Sequence, residues 1–149
     1  MSTIEKAIEL AARAHAGQVD KAGQPYIFHP LRVMLAVQTG EQQMAAVLHD
    51  VVEDTDVTLQ DLREAGFPAG VVEAVEALTK TEGEGRMDAA RRAAANPIAR
   101  VVKLADVADN MDLGRIANPT EKDRARLEEY RRVKELLERR VAAAKEEAQ

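Results

Sequence analysis

Apolar residues recur every three to four positions along almost the whole chain, in runs separated by glycine, proline or capping residues. That spacing gathers the apolar side chains onto one face of an α-helix. The Val-rich pairs Val51-Val52, Val71-Val72 and Val101-Val102 are too short and too embedded in helical spacing to make a sheet. The chain is therefore expected to be all-α, with about seven or eight helices.

The breaks place those helices. Ser2 and Glu5 form a capping-box pattern, followed by Ile4, Ala7, Leu10, Ala11 and Ala14 at helical spacing. Gly17 and Gly23-Gln24-Pro25 predict a loop over 16–28, and Pro30 sits well in the first turn of a helix reaching about Val37. Gly40 ends that segment, and a helix follows from about Glu41 to Val52 with Met44, Val47, Leu48 and Val51 on one stripe. Thr58 and Asp61 cap a short helix stopped by Gly66, and Pro68 opens another through about Leu78. After the loop-like TEGEGR (81–86), an Ala- and Arg-rich helix runs to Ala95, and Asn96-Pro97 starts one reaching about Asp109. Asn118-Pro119 breaks the chain again, and Thr120 and Asp123 cap a long C-terminal helix, so that 119–149 is the last element.

Composition narrows the function classes. With 149 residues, a single domain over 1–149 is expected. The absence of cysteine excludes disulfide scaffolds, thiolate zinc sites, iron–sulfur clusters and cysteine nucleophiles, and suits a reducing compartment. A formal net charge of -5 argues against a general nucleic-acid binder, and an aromatic content of 3% against base stacking on an aromatic platform. MSTIEKAIEL carries no secretory pattern, and no apolar run is long enough to span a bilayer, so a cytoplasmic protein without membrane attachment is expected.

The 3 histidines focus the search for chemistry. His49 is followed by Asp50, and Glu53 and Asp54 come one turn later, so helical spacing stacks His49 over Glu53 and Asp50 over Asp54. Carboxylates crowding a helix end call for a compensating cation, either a metal or an arginine. His29 stands before Pro30 at a helix mouth. Lys103, Asp106 and Asn110 share one face of a later helix, where Asp106 reads as a carboxylate ligand, Lys103 as a phosphate-binding cation and Asn110 as a polar flank. His29, His49, Asp50 and Asp106 together offer two imidazoles and two carboxylates. Such a nitrogen and oxygen set suits Mn, Fe or Mg-like ions or catalytic zinc, with Glu53 and Asp54 placed to orient or deprotonate a water.

The order His29, His49-Asp50, Asp106 resembles the HD metal-dependent phosphohydrolase superfamily. More narrowly, AHAGQVDKAGQPYIFHPLRV (14–33), AAVLHDVVEDTDVT (45–58), ALTK (77–80) and VKLADVADNM (102–111) resemble the hydrolase domain of RelA/SpoT-type alarmone enzymes. The likeness implies a single HD-type helical bundle acting as a stand-alone small alarmone hydrolase. It implies one Mn²⁺ held by His29, His49, Asp50 and Asp106, and a water activated by Glu53 and Asp54. Lys21 matches a basic residue of the nucleotide pocket, and Asn110 an asparagine near the ribose and phosphates. The implied reaction is hydrolysis of the 3′-diphosphate of guanosine tetra- or pentaphosphate with release of pyrophosphate. His15 is expected beneath the site, and Tyr26 either in the core or in contact with substrate. Lys80, Arg86, Arg91, Arg92 and Arg100 are candidate partners for a polyphosphate.

Three departures bear on substrate. Asp20 stands where the family carries an arginine that packs on guanine. Val107-Ala108-Asp109-Asn110 replaces Arg-Leu-His-Asn. The segment between Lys80 and Asn96 is short and poorly matched. An adenine alarmone, or another phosphorylated nucleotide such as NADPH, is the alternative substrate. Asp20 could accept a hydrogen bond from an exocyclic amine. A nucleotide-sensing module without turnover and a scaffold with a closed metal are the non-enzymatic alternatives. The long C-terminal helix could cap the core or mediate a homodimer.

Overall fold

The computed structural model describes residues 2–148. Its elements are α1 (Ile4–Ala14), α2 (Phe28–Leu35), α3 (Gly40–Leu48), α4 (Val51–Asp54), α5 (Leu59–Glu64), α6 (Ala69–Leu78), α7 (Arg86–Ala94), α8 (Pro97–Asn110) and α9 (Glu121–Glu147), with a 3₁₀ turn at Leu113–Arg115. Among the described residues, the one β-type pairing is an isolated antiparallel bridge between Val19 and Pro25, which pins the α1–α2 loop. The all-α expectation holds. Among the described residues, no helix is long and apolar enough to cross a membrane.

Helix α3 is the centre. Ala45, Ala46, Val47 and Leu48 are all fully buried, so this helix is covered on every side rather than on one stripe. It packs against α1, α2, α6 and α8. Its two alanines keep the backbones close, and Val33, Val71, Val75 and Val102 complete a core around it. A second cluster of Ala90, Ala94, Val107, Val133 and Leu137 joins α7, α8 and α9. Helix α8 serves both clusters, with Ala99 and Val102 in the first and Val107 in the second. The polar face of α8 therefore lies at the seam between them.

Most of the expected caps are present. Asn96 accepts from the amides of Ile98 and Ala99, and Thr58–Asp61 and Thr120–Asp123 form reciprocal capping boxes. Gly66 closes α5 at φ 87°, a conformation that costs a side-chain-bearing residue steric strain. Several boundaries differ from expectation. The cap of α1 is Thr3, which accepts from the Lys6 amide, while the Ser2 hydroxyl donates to the Ala65 carbonyl at 2.6 Å. Helix α2 starts at Phe28 and stops at Leu35, so Pro30 lies two residues into it. Gly40 opens α3 rather than ending α2, because Thr39 and Gln42 form a capping box there. Pro68 is the cap before α6.

The largest correction concerns 41–52, which is two helices. Helix α3 ends at Leu48, and Asp50 occupies the cap position of α4. Nδ1 of His49 approaches the Ala46 carbonyl to 2.5 Å and competes for an acceptor that a continuing helix would use. This break raises the helix count to nine among the described residues.

Candidate metal centre and its cavity

Three segments distant in sequence meet at one point. His29 comes from α2, His49 and Asp50 from the α3–α4 break, and Asp106 from α8. Neighbouring residues on an unbroken helix point about 100° apart. The break brings His49 Nε2 and Asp50 Oδ2 to 3.0 Å. Asp106 Oδ1 lies 2.9 Å from His29 Nε2 and 3.3 Å from His49 Nε2, and Asp50 Oδ2 is 3.8 Å from His29 Nε2. His29, His49 and Asp106 are buried, and Asp50 is half-buried.

The outer nitrogens fix the inner ones. Nδ1 of His29 is 2.6 Å from Asp109 Oδ2, and Nδ1 of His49 faces the Ala46 carbonyl. Both partners are acceptors, so Nδ1 is the protonated nitrogen of each ring. A neutral ring then carries its lone pair on Nε2, the atom that faces the two carboxylates. The buried Nε2 of His49 makes no hydrogen bond despite its nearby oxygens. An unpartnered imidazole nitrogen beside two carboxylates fits a divalent cation, and His29, His49 and Asp50 form a group able to hold one.

The charges of the cluster act on one another. Burial works to lower the pKa of both histidines, but the carboxylates outweigh it. His29 is raised by its bonds to Asp106 and Asp109, and His49 is raised well above its ordinary value by the charges of Asp50 and Asp106. Burial likewise works to raise Asp106, but Lys103 and His49 hold it well below the usual carboxylate range. Lys103 Nζ binds Asp106 Oδ2 at 3.0 Å, and Asn110 Nδ2 donates to Asp106 Oδ1 at 3.2 Å. The Tyr26 hydroxyl donates to Asp50 Oδ2 in a short hydrogen bond.

Above this cluster opens a cavity of about 270 Å³ lined by Tyr26, Glu53, Asp54, Lys80, Arg86, Lys103, Asn110 and Tyr130 as well as the four candidate ligands. Glu53 and Asp54 are both exposed on its rim. Glu53 Oε1 accepts from the Lys80 amide at 2.8 Å, which fixes one carboxylate oxygen and leaves the other open. Partial burial, with the charges of Asp50 and Glu53, pushes Asp54 up to about 6. Arg86 lies over the Tyr130 ring at 4.8 Å and pairs with Glu129 at 2.8 Å. A second cavity of about 290 Å³ adjoins the first through Tyr26, His29 and Asn110, and adds Asp20, Lys21, Arg32, Asp112 and Arg115.

The candidate residues sort accordingly. His29, His49, Asp50, Asp106, Glu53, Asp54, Lys103 and Asn110 share the first cavity. Lys21 lines the second cavity and lies 3.5 Å from Asp123. Lys80 and Arg86 face the first cavity, whereas Arg91 pairs with Asp88 and Arg92 with Glu84. Arg92 also donates to the Glu76 and Thr79 carbonyls, so it ties α6 to α7. Arg100 is buried near Arg140 and Glu147, away from both cavities. Asp20 accepts from the amides of Ala22 and Gln24 through Oδ1, so one of its two carboxylate oxygens closes its own loop. His15 lies under the site, with Nδ1 2.9 Å from Gln18 Oε1 and its ring 5.0 Å from that of Tyr26. Sequence reasoning gave no role to Arg32, Arg115 or Tyr130, and met Asp109 only as a departure from the family pattern. The spacing of Asp109, one turn beyond Asp106, was the available signal for its place at the site.

A family model described as the HD domain matches residues 7–146. This chain belongs to the HD-domain family. The HD family implies a divalent metal, and the His/Asp group described above is able to hold one. Among relatives, the guanosine-3′,5′-bis(diphosphate) 3′-pyrophosphohydrolase of Aquifex aeolicus is 35% identical over 120 residues, covering 72% of this chain and 17% of that protein. A GTP pyrophosphokinase of Streptomyces coelicolor is 40% identical over 121 residues, covering 72% of this chain and 14% of that protein. The HD chain thus spans about a sixth of the length of such curated relatives. A solved structure described as a metazoan ortholog of SpoT that hydrolyses ppGpp superposes with a TM-score of 0.73 at 26% identity, covering 90% of this chain and 84% of that one. Its match over nearly the full length of both chains extends the likeness from sequence to fold.

Proposed function

We propose that this HD domain is a metal-dependent nucleotide phosphohydrolase that removes the 3′-diphosphate of a guanosine tetra- or pentaphosphate as pyrophosphate. The observation that carries the reading is the convergence, in one cavity, of a His29/His49/Asp50/Asp106 donor set, two rim carboxylates and the cations Lys80, Arg86 and Lys103. The names of the Aquifex relative and the metazoan structure support the substrate class.

In this reading His29, His49, Asp50 and Asp106 hold the metal, and Mn²⁺ suits their nitrogen and oxygen donors. A divalent ion held there would supply Lewis acidity toward a phosphoryl oxygen and would lower the pKa of a water beside it. Glu53 and Asp54 orient that water and take its proton through their free oxygens. Lys103 keeps Asp106 ionised and in place, and Tyr26 does the same for Asp50. Lys80 and Arg86 neutralise the diphosphate. Lys21 and Asn110 receive the nucleoside and its phosphates in the adjoining cavity. A bond forms from the water oxygen to the phosphorus nearest the ribose, and the bond from that phosphorus to the 3′ oxygen breaks with its electron pair going to that oxygen, which takes up the proton removed from the water, relayed by the rim carboxylates or solvent, while pyrophosphate leaves with the new oxygen.

The test is pyrophosphate release with Mn²⁺ from guanosine and adenosine 3′,5′-bis(diphosphates), side by side, with NADPH as a third arm read by release of inorganic phosphate. Guanine turnover supports the reading. Turnover of the adenine compound or NADPH alone keeps the chemistry and reassigns the substrate. Binding without turnover of any of the three would overturn the enzymatic reading in favour of a sensor.

A further inference from the structure

We propose that Asp109 is the positioning residue of the metal centre, fixing His29 in the tautomer that presents the Nε2 lone pair to the cation. The inference rests on the metal-site reading above. His29 and Arg32 lie one turn apart on α2, and Asp106 and Asp109 lie one turn apart on α8. The two helices therefore meet in matched rungs. On one rung His29 Nε2 faces Asp106 Oδ1 at 2.9 Å, and on the next His29 Nδ1 faces Asp109 Oδ2 at 2.6 Å.

Asp109 is itself held from two sides. Arg32 donates through Nε to Oδ1 at 2.8 Å and through Nη2 to Oδ2 at 3.0 Å, a two-point grip that fixes the carboxylate plane. Arg115 donates to the Asp109 main-chain carbonyl at 2.7 Å and reaches Oδ1 at 3.4 Å. A ring free to rotate could exchange Nδ1 for Nε2. A clamped acceptor behind Nδ1 removes that freedom and raises the basicity of the ligand nitrogen. Arg32 and Arg115 also wall the second cavity, so the same carboxylate shapes the chamber next to the metal site.

The rival is that Asp109 only ties α2 to α8. Two substitutions separate them. Asp109→Leu removes both the tie and the acceptor, whereas Arg32→Met cuts the tie and leaves the acceptor. Mn²⁺ affinity is measured by chelator competition, and the protonated nitrogen of His29 by ¹⁵N NMR of Zn²⁺-loaded protein. Asp109→Leu should weaken Mn²⁺ binding by roughly 10–100-fold and Arg32→Met by much less, with Asp109→Asn between them because an amide oxygen still accepts from Nδ1. Wild-type His29 should carry its proton on Nδ1. Unchanged affinity in Asp109→Leu, equal losses in Asp109→Leu and Arg32→Met, or a wild-type proton on Nε2 would each overturn the proposal. If Asp109→Leu does not fold, Asp109→Asn is compared with Arg32→Met, and a loss no greater than that of Arg32→Met overturns the proposal. A wild-type protein that binds no Mn²⁺ overturns the metal-site reading itself, a result distinct from the other three.

Discussion

His29 Nε2 and Asp106 Oδ1 lie 2.9 Å apart, although 77 residues separate them in the chain. Both are buried, and neither belongs to the apolar core. Their contact is made by the seam position of α8 and by the pairing of α2 with α8. It concentrates charge where burial alone would exclude it, so each partner depends on the others.

Removing Asp106 should expose that dependence. Asp106→Asn is expected to lower Mn²⁺ affinity by more than about 100-fold, since it would remove the charge of a proposed ligand rather than a supporting contact. Lys103 then loses its carboxylate partner, so the metal-free protein should also melt earlier. Chelator competition and thermal melts of the metal-free protein check both effects.

Glu53→Gln keeps an oxygen acceptor for the Lys80 amide and removes the charge. Metal binding and fold should survive, while turnover falls by roughly 10²–10⁴-fold, the usual loss when a general base is removed. Turnover at the wild-type rate would show that Glu53 does not take the proton.

The pH–rate profile should have an acidic limb set by Asp54. Burial and its acidic neighbours raise this carboxyl to about 6. As the proposed base it would act only when ionised, so the rate should rise with pH through the limb. A cation beside it favours the ionised form, which places the limb at or below about pH 6 in loaded protein. Asp54→Asn should remove the limb along with most of the rate, and a limb of unchanged midpoint in that variant assigns it to another group.

Acid stability should depend on Asp109. Burial opposes its ionisation, but His29 and Arg32 outweigh that and hold its pKa far below the ordinary value. A depressed carboxyl stabilises the fold above its unfolded pKa of about 4, and this contribution is lost as pH falls toward the folded value. Urea midpoints between pH 6 and pH 3 should therefore drop more steeply in the wild type than in Asp109→Asn. Parallel curves would show that Asp109 is not linked to folding.

Leu137 anchors α9 in the second apolar cluster and is fully buried. Leu137→Ala should cost about 2–5 kcal/mol through lost burial and the cavity left behind. Because α9 also carries Tyr130 on the cavity wall, KM should rise with the loss of stability. Chemical denaturation and substrate titration measure the two effects.

The helices were legible because periodicity, glycine breaks and capping pairs are local signals. Asn96-Pro97, Thr58/Asp61 and Thr120/Asp123 each start a helix through contacts within four residues. Ser2 misled for the same reason: its hydroxyl is claimed by Ala65, 63 residues away, so Thr3 takes the cap. Residue types likewise pointed to His29, His49, Asp50 and Asp106, because two imidazoles and two carboxylates are chemistry that an apolar core does not need. The tertiary structure decided which groups meet. The α3–α4 break turns His49 and Asp50 to one point, α8 at the seam supplies Asp106, and Asp109 is claimed by His29 and Arg32 across a helix pair. It also separated the cations, sending Lys80 and Arg86 to the cavity and Arg92 to a helix tie. Local spacing shows which face of a helix a residue occupies. What that face meets depends on how the helices pack, which is set by apolar contacts far apart in the chain.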